Sequence, residues 1–143
     1  MNKNLSGIEI VDGTLIGNYA LSANAHVPVI LDIDASNPAI DDFSDLLVDA
    51  ASALDALTEE TLDCLKTSIS VELTDAAYPE SDAGMKAKAY ANLKAELRLK
   101  EIVFYLEDAI SMIFEARNDY PDMSIYCQVD RRFAIEDLAV HPD

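Results

Sequence analysis

Alternation of apolar and polar positions marks strands at both ends of the chain, and a three-to-four-residue period marks helices between them. In Ser124-Ile125-Tyr126-Cys127-Gln128-Val129 every second residue is apolar. Successive strand side chains point to opposite faces, so Ile125, Cys127 and Val129 read as one inward face. Asp130-Arg131-Arg132 reads as a turn, and Phe133 to Val140 as the returning strand with Phe133 and Ile135 in phase. Upstream, Ile110, Met112, Phe114 and Ala116 share a face of a strand that runs to Arg117 and is closed by the breaker cluster Asn118-Asp119-Tyr120-Pro121-Asp122. Ile102-Val103-Phe104-Tyr105-Leu106 suits a pleated surface, with Glu107-Asp108 as its turn. Ile102, Leu106, Ala109 and Ile113 also keep helical spacing; strands are the preferred reading.

The first forty residues repeat the strand pattern. Ile8-Glu9-Ile10-Val11 leads into Asp12-Gly13, a hairpin signal, and Thr14 to Leu21 returns. After a turn at Ser22 to Ala25, His26 to Asp34 places Val27, Val29, Leu31 and Ile33 on one face and Asp32 and Asp34 on the other. Pro28 argues for an edge position or a bulge.

In the middle, Ser36 or Asn37 is the expected cap of a helix opening at Pro38. Its apolar stripe is Ile40, Phe43, Leu47, Ala50, Leu54 and Leu57, with Asp41, Asp45 and Asp49 recurring every four residues beside it. A polar residue at Phe43, Leu47 or Leu54 is expected to damage the fold far more than a surface change. Thr58 is the next expected cap, with Glu59 and Glu60 where the helix dipole favours anions. Leu62, Leu65, Ile69 and Leu73 form its stripe, although Ile69 to Leu73 also alternates as a short strand would. Tyr78 to Asp82 breaks the chain, and a third helix is expected from Ala83 to Arg98, with Tyr90, Leu93 and Leu97 inward and a Glu96–Lys100 pair if it extends that far. The whole reads as a single α+β domain over residues 1–143: a largely antiparallel sheet from N- and C-terminal strands, with two or three helices on one face.

Composition changes this picture mainly through charge. The chain has 143 residues, half of them hydrophobic, enough to bury a real core. Its 10 Lys and Arg stand against 27 Asp and Glu, a net charge of −17. Nucleic acid and anionic membranes are therefore not expected partners, both being polyanions. Cys64 and Cys127 sit among apolar neighbours and read as reduced core thiols. No apolar segment follows Lys3 as in a signal peptide, and no apolar run is long enough to span a bilayer, so a cytoplasmic location is expected. Asn4-Leu5-Ser6 then reads as a chance match to a glycosylation acceptor.

Little in the chain points to catalysis. Asp32, Asp34, Asp41 and Asp42 are the candidate ligands of a hard divalent cation, which would make the chain a metal-dependent hydrolase, but no Gly-spaced loop accompanies them. His26 or His141 with Cys64 or Cys127 would be needed for a nucleophilic dyad; surface histidines are the preferred reading. The four glycines form no phosphate-cradling loop, and no cofactor is expected. Tyr19, Tyr78, Tyr105, Tyr120 and Tyr126 are candidate interface anchors.

What stands out is where the charges lie. Between Asn4 and Leu65 there is no Lys or Arg, while Glu9, Asp12, Asp32, Asp34, Asp41, Asp42, Asp45, Asp49, Asp55, Glu59, Glu60 and Asp63 fill that half. Lys86, Lys88, Lys94, Arg98 and Lys100 crowd the other. A folded first half would present a concentrated negative surface that steers a basic partner.

In general character, small, cysteine-poor, strongly acidic and α+β, the chain resembles the bacterial immunity proteins that neutralise a cognate toxin, many such toxins being basic nucleases. The resemblance implies binding of one basic toxin domain through carboxylates, for which Asp32, Asp34, Asp41, Asp45 and Asp49 are the candidates. The other expectation is an oligomeric adaptor, in which an exposed sheet edge pairs with its twin as a homodimer.

Overall fold

Residues 5–22, 25–107 and 109–143 are described by the structure, a computed structural model. The N-terminal strands are β1 (Leu5–Val11), β2 (Thr14–Ser22) and β3 (Ala25–Asp32). Helices α1 (Ser44–Asp55), α2 (Glu59–Ala77) and α3 (Ala83–Glu96) follow, then β4 (Arg98–Tyr105), β5 (Ile110–Ala116), β6 (Tyr120–Val129) and β7 (Ile135–Pro142). The strands form one sheet in chain order. Every neighbouring pair is antiparallel except β3 and β4, which the helical crossover makes parallel. This is the expected α+β architecture. The turns read at Ser22–Ala25 and Glu107–Asp108 fall partly outside the described residues.

The C-terminal third is strands throughout, so the helical reading of Ile102 to Ile113 is set aside. Burial follows the alternation. Leu15, Tyr19, Val29, Leu31, Ile102, Phe104, Met112, Phe114, Ile125 and Cys127 are buried, while their neighbours Asn18, Pro28, Tyr105, Tyr126 and Gln128 are exposed. The helices therefore cover one face of the sheet. Asp12 and Gly13 both take positive φ, 50° and 81°, as a tight hairpin turn requires. Several expectations need correction. Pro28 lies in an interior strand, between β2 and β4, not at an edge, although the β2–β3 pairing does open with the expected irregularity, between Ala20 and Ser22; Pro28 is tolerated because the β3–β4 ladder begins one residue later, at Val29. Asn37 has φ 49°, outside the extended region that a helix N-cap takes, and Pro38 is buried in the loop rather than opening a helix. A short 3-10 turn at Ile40–Phe43 comes first, with the Ala39 amide donating to Asp42 Oδ2 at 2.8 Å. That tighter turn shifts the phase: Ile40 is exposed, Leu46 is inward and Leu47 half-buried, so the inner stripe runs Phe43, Leu46, Ala50, Leu54, Leu57. Tyr19 is buried, its hydroxyl donating to the Leu54 carbonyl at 2.9 Å, and is no surface anchor.

Thr58 caps α2 as its chemistry suggests, Oγ1 accepting from the Thr61 amide at 3.1 Å. Thr58→Ala should cost about 1 kcal/mol, seen as a lower urea midpoint with an unchanged slope. Residues 69–73 continue α2 and make no strand. Helix α3 stops at Glu96, so Glu96 and Lys100 do not pair along a helix. The Glu96 carboxylate accepts from the Asp119 amide, and Lys100 lies 3.9 Å from Asp143.

The cysteines separate. Cys64 is exposed on α2, against expectation, whereas Cys127 is fully buried in β6. Burial, with Glu72 and Asp137 adding to it, pushes the Cys127 thiol from 9.0 up to about 12. Above pH 9.0 the unfolded chain releases this proton and the folded protein keeps it, so stability should fall as the pH climbs towards about 12. At pH near 8 a thiol reagent should modify one cysteine in the native protein and the second only on unfolding. Two fast thiols would contradict this packing.

Candidate functional site

The acidic candidates lie on the connection from β3 to α1 and along α1. Strand β3 ends at Asp32, whose Oδ1 accepts from the Asp34 amide at 2.9 Å. Asp34 then takes φ 53° and leaves the strand, so the two carboxylates do not share a strand face as expected. Asp41, in the 3-10 turn, and Asp45, in the first turn of α1, are both exposed, and Asp49 follows one turn later. Helical spacing puts Asp45, Val48, Asp49 and Ser52 on one face. Val48 is 69% exposed and Ile40 57%. Exposed apolar side chains therefore stand among carboxylates along the 3-10 turn and α1, a mixture that suits an interface.

Neutralisation along this face is uneven. Arg131, from the β6–β7 turn, reaches Asp49 Oδ2 at 3.0 Å. None of the ion pairs among the described residues involves Asp34, Asp41 or Asp45. Of the ladder, then, Asp41 and Asp45 keep their field free, while Asp49 shares its charge with a cation.

Tyr105 connects the two groups of acids, a link that spacing alone does not show. It pairs with Asp32 across the parallel β3–β4 ladder and lines a crevice with Asp49 and Arg131. Partial burial first, then the Asp32 carboxylate, hold the Tyr105 hydroxyl above its ordinary pKa. Leu106, next to it, is also exposed. Asp32 and Tyr105 at the strand ends and the Asp49–Arg131 pair beside α1 thus border one rim, meeting only at the crevice that Tyr105 lines. Asp34 joins it only through its backbone bond to Asp32.

The other chemistries find less support in the geometry. Asp32 and Asp42 each accept from a backbone amide, and no three His, Cys, Asp or Glu converge as metal ligands among the described residues. Cys127 faces the helices, while His141 pairs with Ser124 on β6 and packs edge-on to Tyr126 at 5.5 Å on the opposite face, so they form no dyad. No helix among the described residues is long and apolar enough to cross a membrane. Comparison with protein-family models, with curated proteins and with solved structures finds no match for this chain.

Proposed function

We propose that this chain is a small acidic binding protein that engages a basic protein through the rim of Asp32, Tyr105 and Asp49 and the outer face of α1. The observation that carries the reading is the exposed pair Asp41 and Asp45 beside exposed Val48 and Ile40. Uncompensated carboxylates steer a cationic surface into place, and the exposed Val48 and Ile40 side chains supply contact area once water is expelled. An immunity role fits this chemistry best: the partner is a basic toxin domain, bound in the cytoplasm, whose active site is covered by the carboxylate face. Tagged protein incubated in lysate of its host and eluted with a salt gradient tests the proposal. One basic protein released only at high salt supports it; retention of acidic or neutral proteins alone rejects it.

A further inference from the structure

A second surface begins at the other side of the β6–β7 turn, between α2 and the sheet edge. Strand β7 is the last of the sheet and is hydrogen-bonded on one side only. Its Ile135, Leu138 and Val140 pair with the core residues Val129, Cys127 and Ile125, yet they are only partly covered by the helices. Beside the start of β7 lies a trough of about 480 Å³, open to solvent, with Glu60, Cys64, Ser68 and Glu72 of α2 along one wall and Arg132, Phe133 and Ala134 of the β6–β7 turn with Ile135, the first residue of β7, along the other. Phe133 is buried at φ 62°, a costly conformation for a bulky residue. Asp130 holds it, its carboxylate accepting from the Arg132 and Ala134 amides at 2.8 and 3.0 Å. The opposite edge differs: β1 is broken by a bulge between Ser6 and Glu9 with Gly7 at φ 64°, a device that blunts an edge. Strand β7 is interrupted only beside its turn.

We infer that this trough takes an extended basic segment of a partner protein, added as an eighth strand on β7. Unpaired backbone groups of an edge strand supply the hydrogen bonds, and pockets for alternate side chains supply selectivity. Charge decides the occupant. Glu60 and Glu72 stand at the two ends of the α2 wall and Glu136 and Asp137 lie on the strand, against one cation, Arg132. A second copy would bring another −17 charge to the same edge. Glu60 to Glu72 spans about 18 Å of helix at 1.5 Å per residue. An extended chain covers that in about five or six residues. The segment is therefore an alternating apolar core of that length with Lys or Arg at both ends.

Selection from a random peptide display library tests this without knowledge of the partner. Enriched peptides should carry that pattern, slow the modification of Cys64 at least ten-fold when saturating, and protect β7 amides from exchange. E60K/E72K should lose all three effects. The inference is overturned if no peptide is enriched, or if enriched peptides lack flanking basic residues or leave Cys64 fully reactive. Peptides lost in D41K/D45K but kept by E60K/E72K would place binding on the rim, overturning this trough while favouring the function proposed above. A peptide-free dimer with β7 already protected would assign the edge to a second copy and overturn it too.

Discussion

Leu54→Asp should leave no cooperatively folded protein at room temperature, while Leu47→Asp should keep a cooperative transition about 1–2 kcal/mol weaker. The two residues sit about two helical turns apart on α1 and look equivalent by spacing. Leu54 has no exposed surface, and its carbonyl holds the Tyr19 hydroxyl; Leu47 is half-buried. Removing the Leu54 side chain forfeits about 1.5–3 kcal/mol. Burying a carboxylate without a partner adds several kcal/mol more. Together these approach the whole stability of an ordinary domain, about 5–15 kcal/mol. Circular dichroism and urea melts of the two variants decide the matter. If Leu47→Asp unfolds and Leu54→Asp folds, α1 is rolled about its axis relative to this account.

Charge reversal at Asp41 and Asp45 should act on association rather than on the fold. Both side chains are exposed and neither takes part in an ion pair among the described residues, so D41K/D45K should melt near the wild type. Steering by a concentrated field raises association rates by about 10- to 1,000-fold. The variant should therefore bind its basic partner at least ten-fold more slowly at low salt. That gap should close as salt rises, because the screening length falls from about 10 Å at 0.1 M to about 3 Å at 1 M. Dissociation should change less, since it reports buried contacts such as those of Val48 and Tyr105. A salt-independent difference would mean that the substitutions removed contacts and not a field.

The strands were legible because the helices cover one sheet face, which prints a period of two on β2, β3 and β6; at the sheet centre Val103 and Ile113 are buried on the other face as well, and the alternation fades there. The start of α1 was not. Ile40, Phe43 and Leu47 satisfy helical spacing, but the chain uses a 3-10 turn there, and Leu46 and Leu47 are both compatible with the step from Phe43. Pro28 suggested an edge because its missing amide hydrogen needs an unpaired neighbour, and a ladder starting at Val29 meets that need in the sheet interior. The acidic candidates were visible as a run without cations. Their grouping was not, because Arg131 reaches Asp49 from 82 positions away and Tyr105 meets Asp32 only through the parallel crossover pairing. Exposure of Cys64 depended on which face of α2 the sheet leaves bare, a property of the assembled layers and not of the local pattern.

The central claim is that a particular acidic face, rather than net charge, selects a basic partner. It is tested most directly by parallel capture from host lysate with three baits: wild type, D41K/D45K, and E80K/D119K, which makes the same change in net charge at exposed positions outside the rim. The account expects one basic protein on the wild type and on E80K/D119K, released at similar high salt, and its loss from D41K/D45K. Equal weakening by both double variants, or equal retention by all three baits, would contradict it.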